Sequence, residues 1–131
     1  MAKDYSKLTA LIVDDDAVLR LVMTKELGSV GIKSSTASNG TEAILSLKKS
    51  RFDFILMDIS MPGQDGLDAT RWIREMSETV NNGVPIFAVT SFSSEEHTKE
   101  ILDAGFNEHF IKPFDLTKVL ETLDKYFWKL D

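Results

Sequence analysis

The 131-residue chain contains no cysteine. It therefore has no disulfide framework, no thiolate metal site and no cysteine nucleophile. No apolar run approaches the roughly 20 residues needed to span a bilayer. Residues 1–4 do not lead into the apolar core of a signal peptide. Together these absences predict a cytoplasmic protein without membrane contact, or one that is also nuclear in a eukaryote.

Basic charge is scarce as well, with 15 Lys and Arg residues against 21 Asp and Glu and a net charge of −6. A phosphate backbone would be repelled, and no basic stripe with interleaved aromatics is present, so we expect no direct binding to nucleic acid. No Pro/Ser-rich linker, repeat or low-complexity tract divides the chain. We therefore predict a single domain over residues 1–131, with its core at about 8–130, whose output depends on binding a partner.

Short apolar segments alternate with longer amphipathic ones along the whole chain. This alternation predicts a parallel sheet covered by helices on both faces. The first, third and fourth apolar segments are continuous, as in buried strands, whereas the second and fifth are mixed, as in edge strands. The pattern favours an α/β fold with five parallel strands in the order 2-1-3-4-5, doubly wound with five helices and flavodoxin-like. The predicted strands span 8–13, 32–37, 53–57, 84–89 and 107–111, and the predicted helices 17–27, 41–48, 67–78, 93–103 and 115–130.

Acidic residues stand where two of these strands end. Asp14 and Asp15 follow the first strand, and Asp58 follows the third. Because the carboxyl ends of parallel strands meet at one edge, we expect a cluster of three carboxylates there. Their mutual repulsion and their oxygen-only chemistry favour a hard cation such as Mg²⁺, with Mn²⁺ as a possible substitute. The alternative is that these aspartates only cap the first helix, which we expect of Asp16 alone.

A hydroxyl and an ammonium stand at the ends of the fourth and fifth strands. Thr90 follows the fourth strand and Lys112 the fifth. A carboxylate such as Asp58 can attack phosphorus to give an aspartyl phosphate. Lys112 and Mg²⁺ would then neutralise the phosphoryl oxygens, and Thr90 would donate its hydroxyl to one of them. The alternative is a strand-end threonine and a surface lysine, but their shared position at strand ends favours a phosphoryl site.

In combination these residues resemble the response-regulator receiver domain of two-component signalling, in particular its single-domain, chemotaxis-regulator-like members. The resemblance covers about residues 8–130. It is carried by five motifs, namely Val13-Asp14-Asp15-Asp16, Met57-Asp58, Met61-Pro62-Gly63-Gln64-Asp65-Gly66, Thr90-Ser91 and Lys112-Pro113-Phe114.

The resemblance implies a role for each site residue. Asp58 would be the phospho-acceptor and, with Asp15, a direct ligand of Mg²⁺. Asp14 would act mainly through a bound water, and the backbone carbonyl of Ser60 would be a further ligand. The phosphoryl group would be held by Thr90 and Lys112, with the Lys112–Pro113 peptide in the cis form.

It also implies partners. The donor would be a phosphohistidine on a histidine kinase or on a histidine phosphotransfer protein, and the downstream target is unknown. The domain would catalyse its own phosphorylation and dephosphorylation, so it is not clearly a turnover enzyme. Phosphorylation would move Thr90 and change a surface formed by helix 4, strand 5 and helix 5.

Alternative functions remain. The chain can be a stand-alone switch, a phosphate sink, or the receiver portion of a larger hybrid histidine kinase. A flavodoxin-like cofactor binder is disfavoured, because the aspartates would repel FMN and no glycine-rich cradle precedes the first helix. A phosphatase acting on small substrates is disfavoured by short loops without a recognition insertion.

Some residues depart from the family pattern or have no clear role in it. His109 stands where the family has a switch Tyr or Phe, and either it swings in the same way, with sensitivity to pH, or it is an edge-strand histidine without a switching role. Gln64 replaces a frequent Met, so we expect it to affect partner choice or stability. We predict that His97 is a solvated helix residue and that Trp72 packs in the core. Trp128 either contacts a partner or, as we favour, packs on the chain itself.

By resemblance, Ser60 and Phe92 gate the water that hydrolyses the phosphoryl group. Phe92 is bulky and would shield that group. We predict that Phe92→Ala speeds dephosphorylation, measured as the decay of phosphorylated protein after the donor is removed. Decay that is unchanged or slower than in the wild type would contradict the gating role.

Overall fold

Five strands and five α-helices alternate within residues 3–61, 65–76, 81, 83–91 and 95–128, which are the residues described by the computed structural model. The strands are β1 Thr9–Val13, β2 Lys33–Ala37, β3 Phe54–Asp58, β4 Ile86–Thr90 and β5 Glu108–Ile111. The helices are α1 Ala17–Gly28, α2 Gly40–Lys49, α3 Asp65–Glu75, α4 Glu95–Ala104 and α5 Leu116–Phe127. A short 3-10 helix, Tyr5–Lys7, precedes β1. Among these described elements, none of the helices combines the length and apolar content required to cross a bilayer.

The sheet has the order β2-β1-β3-β4-β5 with every pair parallel. This confirms the predicted fold class and strand order. All residues of β3 and β4 are buried, whereas β2 and β5 are partly exposed, as the polar composition of the two edge strands predicts. The register sets Val13 beside Met57 and Asp58 beside Val89, so the segments that follow the central strands leave the sheet at one edge.

Apolar side chains cover both faces of the sheet and form two core clusters. One cluster packs the sheet against α2, α3 and α4, and the other packs it against α1 and α5. Successive side chains of a strand point to opposite faces. Accordingly Phe87 and Val89 belong to the α1–α5 side, and Ala88 to the side of α2, α3 and α4. Each fully buried aliphatic or Phe side chain contributes roughly 1.5–3 kcal/mol, and this core is what holds polar groups fixed at the sheet edge.

Helix α3 approaches the end of β3 more closely than any side chain would permit. A Cβ atom placed on Gly66 would overlap the carbonyl oxygen of Asp58 and lie 3.1 Å from the Cα atom of Ile59. Because the obstacle is backbone, it cannot move aside as a flexible side chain would. Gly66 therefore lets the first turn of α3 lie directly against the backbone of Asp58 and Ile59 at the end of β3.

A partly buried arginine, Arg74, ties α3 to the segments that precede β4 and β5. Arg74 donates from Nε to the Gly105 carbonyl at 2.9 Å and from its terminal nitrogens to the Val84 carbonyl and the Asn107 Oδ1, both at 2.7 Å. Asn107 Oδ1 also accepts from the Ile86 N–H at 2.8 Å. One guanidinium thus satisfies acceptors that precede β4 and β5.

Some predicted packing is wrong. Trp72 is 46% exposed rather than part of the core, and the Lys48 ammonium lies 5.3 Å from its ring centre. On α1, Val18 and Val22 are exposed although they share an apolar stripe with buried Met23. Helical periodicity shows which side chains share a face of a helix. How much of that face the sheet buries depends on the orientation of the helix on the sheet.

Trp128 follows our favoured expectation, because it packs against the chain itself. Its ring meets that of Tyr5 edge to face with centres 5.1 Å apart. Tyr5 in turn donates its hydroxyl to Asp124 of α5 at 2.8 Å. The start of the chain is thereby fastened to the last helix.

We predict that Arg74→Ala lowers the free energy of unfolding by about 1–3 kcal/mol, because it leaves partly buried acceptors without this donor. Urea denaturation measures this loss. Arg71→Ala is the matched control on the same helix. Its pair with Asp68 is exposed, so its removal should cost less than about 0.5 kcal/mol. Equal losses in the two variants would contradict the proposed role of the Arg74 network.

Candidate active site

Asp14 directly follows β1 and is completely buried. Its Oδ1 accepts from the backbone N–H of Asp16 at 2.9 Å, and its carbonyl accepts from Arg20 at 2.7 Å. Its Oδ2 has no hydrogen-bond partner among the described residues. The ammonium of Lys112 lies 4.0 Å from that oxygen. A buried carboxylate oxygen without a donor is costly, so this atom indicates a ligand site.

Asp58 is the last residue of β3 and is only 2% exposed. Its Oδ1 accepts from the backbone N–H of Ser60 at 2.8 Å. The same oxygen lies 3.3 Å from the Lys112 ammonium. Two donors therefore fix the orientation of this carboxylate.

The predicted acidic cluster is present. Carboxylate oxygens of Asp14, Asp15 and Asp58 lie within 4.8 Å of one another, with Asp15 exposed and the other two buried. Burial raises the pKa of Asp14 to about 6, and the nearby charge of Asp58 acts in the same direction. The hydrogen bond from Asp16 and the charge of Lys112 oppose that rise. In the part of the chain that the structure describes, the Lys112 ammonium is the one that pairs with these three carboxylates, so they keep an excess of negative charge.

This donor set fits Mg²⁺. The ligands on offer are carboxylate oxygens, one of them the orphaned Oδ2 of Asp14, and the exposure of Asp15 leaves the site open to solvent. Mg²⁺ prefers oxygen ligands and retains several waters in such open sites. Asp16 stands apart, because its Oδ1 accepts from the N–H groups of Val18 and Leu19 at 2.8 and 3.4 Å. It caps α1, as predicted.

Lys112 follows β5, and its ammonium lies beside the carboxylates of Asp14 and Asp58. Its backbone N–H donates to the carbonyl of Thr90 at 2.7 Å. The Lys112–Pro113 peptide is cis, in agreement with the resemblance. Thr90 is the last residue of β4 and is fully buried. The sheet therefore brings the predicted carboxylates and ammonium together, and Thr90 is joined to them through its backbone bond to Lys112.

A further residue was missed. His97 is half-buried on α4, not solvated as predicted, and its Nε2 lies 3.2 Å from the hydroxyl of Thr90. The polar composition of α4 masks this contact. The place of His97 in the sequence was the one available signal. It lies at the start of the helix that follows β4, and such a helix begins near the Thr90 hydroxyl.

His109 lies on the side of the sheet that α4 covers. Its neighbours in β5 face α5 instead: Glu108 contacts the Tyr126 hydroxyl at 3.4 Å, and Phe110 packs in the α1–α5 cluster. His109 is half-buried and pairs with Ala88 in the ladder. Whether it switches stays a prediction. Phe92 and Gln64 lie outside the described residues.

The sequence of the chain matches the family model of the response regulator receiver domain over residues 10–124. The chain belongs to this family. It is a receiver domain of two-component signalling, and family members act with histidine kinases or phosphotransfer partners.

Relatives of this receiver include complete regulators. Two-component response regulator 24 of Arabidopsis thaliana is 39% identical over 121 residues, which cover 92% of this chain and 84% of that protein. Chemotaxis protein CheY-3 of Vibrio cholerae is 35% identical, with 92% of each chain covered. The receiver thus resembles single-domain regulators along nearly its whole length.

Other relatives are much longer. Sensor histidine kinase RcsC of Escherichia coli K12 is 32% identical over 123 residues, but the receiver spans only 12% of its length. The solved receiver domain of a sensor histidine kinase from Pseudomonas aeruginosa PAO1 superposes with a TM-score of 0.80 at 32% identity. That match covers 91% of this chain and 96% of that one, whose active-site cleft coordinates a magnesium ion. Similarity alone therefore fits both a separate regulator and part of a kinase.

We predict that Asp14→Asn alters how stability depends on pH in metal-free buffer. The folded pKa of Asp14 is raised from 3.8 to about 6, so its stabilising contribution is complete below 3.8 and lost as pH rises through about 6. Between those values the wild type should lose on the order of 1–3 kcal/mol more stability than the variant. Chemical denaturation across this pH range with EDTA measures the difference.

The control for this prediction is Asp103→Asn, an exposed carboxylate on α4. Its stability profile should run parallel to that of the wild type. Added Mg²⁺ should raise the melting temperature of the wild type more than that of Asp14→Asn, because ligand binding stabilises the folded state by mass action. Parallel pH profiles for wild type and Asp14→Asn would exclude a destabilising buried charge at this position.

Proposed function

We propose that this receiver is a phosphoacceptor switch that takes a phosphoryl group from a phosphohistidine donor onto Asp58. The observation that carries the proposal is the state of the Asp58 carboxylate. It is buried, its Oδ1 is held by the Ser60 N–H and faces the Lys112 ammonium, and two further aspartates lie beside it. Such an arrangement orients a nucleophile and supplies charge to the group it receives.

Transfer then proceeds by in-line displacement at phosphorus. Oδ2 of Asp58 attacks, a P–O bond forms, and the P–N bond to the donor imidazole breaks. The imidazole keeps the electron pair and takes up a proton. Lys112 offsets negative charge on the phosphoryl oxygens, and the hydroxyl of Thr90 donates to one of them. Water later attacks phosphorus, and the bond between phosphorus and Asp58 Oδ2 breaks. Inorganic phosphate leaves with the protons of that water, and the Asp58 carboxylate is restored.

Magnesium is the cofactor that we propose for this site. Direct ligands would be Asp15, Asp58 and the backbone carbonyl of Ser60, with Asp14 acting through a water. When bound, the ion supplies the positive charge that three carboxylates and a phosphoryl group require. Support comes from the orphaned Oδ2 of Asp14 and from the magnesium in the Pseudomonas receiver. Mn²⁺ would serve as a substitute, since it favours the same oxygen ligands.

We assign control of hydrolysis to Ser60 and Phe92. Ser60 is exposed, and its backbone N–H donates to Asp58, so its side chain stands next to the acceptor where it can affect the access of water. In this proposal the domain catalyses its own phosphorylation and dephosphorylation. It would act in the cytoplasm, where phosphohistidine donors are made from ATP.

A protein donor must cover the surface next to the site. Helix α1 begins directly after Asp16 and exposes the apolar side chains of Val18, Leu21 and Val22. We propose that the phosphohistidine donor, a histidine kinase or phosphotransfer protein, packs on this stripe. Output would pass to an unknown target through the surface of α4, β5 and α5, where Leu102 and Ile111 are exposed.

A second candidate is the receiver portion of a hybrid histidine kinase, or a phosphate sink that drains such a kinase. The matches to RcsC and to the Pseudomonas kinase receiver favour it. Its chemistry at Asp58 would be the same. The two differ in where the signal goes after phosphorylation.

We predict that the wild type gains the mass of one phosphoryl group when incubated with acetyl phosphate and Mg²⁺, and that Asp58→Asn does not, because an amide cannot form the acyl phosphate. Intact-mass spectrometry measures both. Asp68→Asn, an exposed carboxylate on α3, is the control and should be phosphorylated as the wild type is. If the wild type never gains this mass, or Asp58→Asn gains it equally, Asp58 is not the acceptor.

A further inference from the structure

Thr90 already has a partner in the unphosphorylated structure, and that partner belongs to another element. Its buried hydroxyl oxygen lies 3.2 Å from Nε2 of His97 on α4. The other ring nitrogen, Nδ1, lies 3.5 Å from the Glu100 carboxylate. Strand β4 and the first turns of α4 are therefore joined through an imidazole at the edge of the active site.

The tautomer of His97 decides the sense of this contact. A carboxylate beside Nδ1 favours a proton on that nitrogen, which leaves Nε2 as an acceptor. The hydroxyl of Thr90 then donates to His97. Because a hydroxyl carries only one proton, Thr90 cannot make this hydrogen bond and also donate to a phosphoryl oxygen on Asp58.

We propose that His97 is a positioning residue that holds Thr90 in the unphosphorylated state and releases it when Asp58 is phosphorylated. The inference rests on the proposed function of Asp58. The two hydrogen bonds of Thr90 exclude each other, so they define two states of one hydroxyl. Phosphorylation favours one state and His97 the other, which is the condition for a population shift.

The release has a direct structural consequence. Helix α4 begins at Glu95, so His97 belongs to its first turn. Loss of the Thr90 contact removes one hydrogen bond between that turn and the end of β4. The signal would then reach α4 directly from the threonine, without passing through the β5 position that His109 occupies.

The inference can be tested by titrating beryllofluoride, an analogue of the phosphoryl group, against the full chain with saturating Mg²⁺. His97→Ala removes the restraint on Thr90 and should lower the beryllofluoride midpoint by about two- to tenfold, the value of one net hydrogen bond. His97→Gln, whose amide can accept from the hydroxyl, should keep a midpoint close to the wild type. Lys99→Ala is the control, since Lys99 is exposed on the same helix.

A spectroscopic measurement on the wild type does not depend on any His97 variant folding. The ¹⁵N signals of His97 should show the Nδ1–H tautomer and should shift when beryllofluoride binds. In Thr90→Ala the His97 ring should lack the hydroxyl contact from the start, so its signals should respond far less to beryllofluoride.

The outcomes separate the two levels of the argument. If the wild type does not bind beryllofluoride, the proposed function fails and this inference fails with it. If the wild type binds, but His97→Ala and Lys99→Ala have the same midpoint, or the His97 signals are unmoved by binding, only the positioning role of His97 is overturned.

Discussion

The main physical constraint on this active site is that two carboxylates of like charge, Asp14 and Asp58, are buried at the ends of neighbouring strands. Asp14 and Asp58 are almost fully removed from water, yet among the residues that the structure describes they share one ammonium, that of Lys112. Desolvation and repulsion both disfavour this arrangement. It persists because the hydrophobic core and the hydrogen bonds of the sheet fix the backbone beneath each side chain. A site held in this way has an excess of negative charge, which the proposed cation would offset, and a carboxylate of fixed orientation, which the proposed phosphoryl transfer would use as its nucleophile.

The surrounding scaffold serves that constraint. Gly66 allows the first turn of α3 to lie on the backbone of Asp58, and Arg74 fastens the last turn of the same helix to the segments before β4 and β5. The helix is thereby fixed at both ends, and the loop between β3 and α3 starts from a rigid position. Rigid placement matters, because hydrogen-bond donors contribute most to transfer when they need no reorganisation. The stability of the fold and the reactivity of the site therefore have the same structural source.

The opposite side of the site has a different character. Thr90 is buried at the end of β4, and its hydroxyl contacts His97 on α4. His109, on the neighbouring strand, lies on the same face. Two histidines thus stand where α4 meets the sheet, and their ring nitrogens can accept or donate, so small changes at Thr90 can be passed to this helix. Backbone and core hold Asp14 and Asp58, to which we assign the reaction, whereas a hydrogen bond between two side chains holds Thr90, to which we assign the signal.

The strand order and the cluster of aspartates could be predicted from the sequence alone. The strand order followed from which apolar runs were continuous, and the cluster of Asp14, Asp15 and Asp58 followed from the rule that parallel strands end at one edge. These inferences succeed because strand burial and strand polarity are written in local composition. Only the tertiary structure decided that Trp72 is exposed and that His97 contacts Thr90. Periodicity identifies the apolar or polar face of a helix. Which side chains of that face are buried or contact the sheet depends on the angle between helix and sheet and on the path of the preceding loop. Those are set by the packing of the whole domain, so no local pattern contains them.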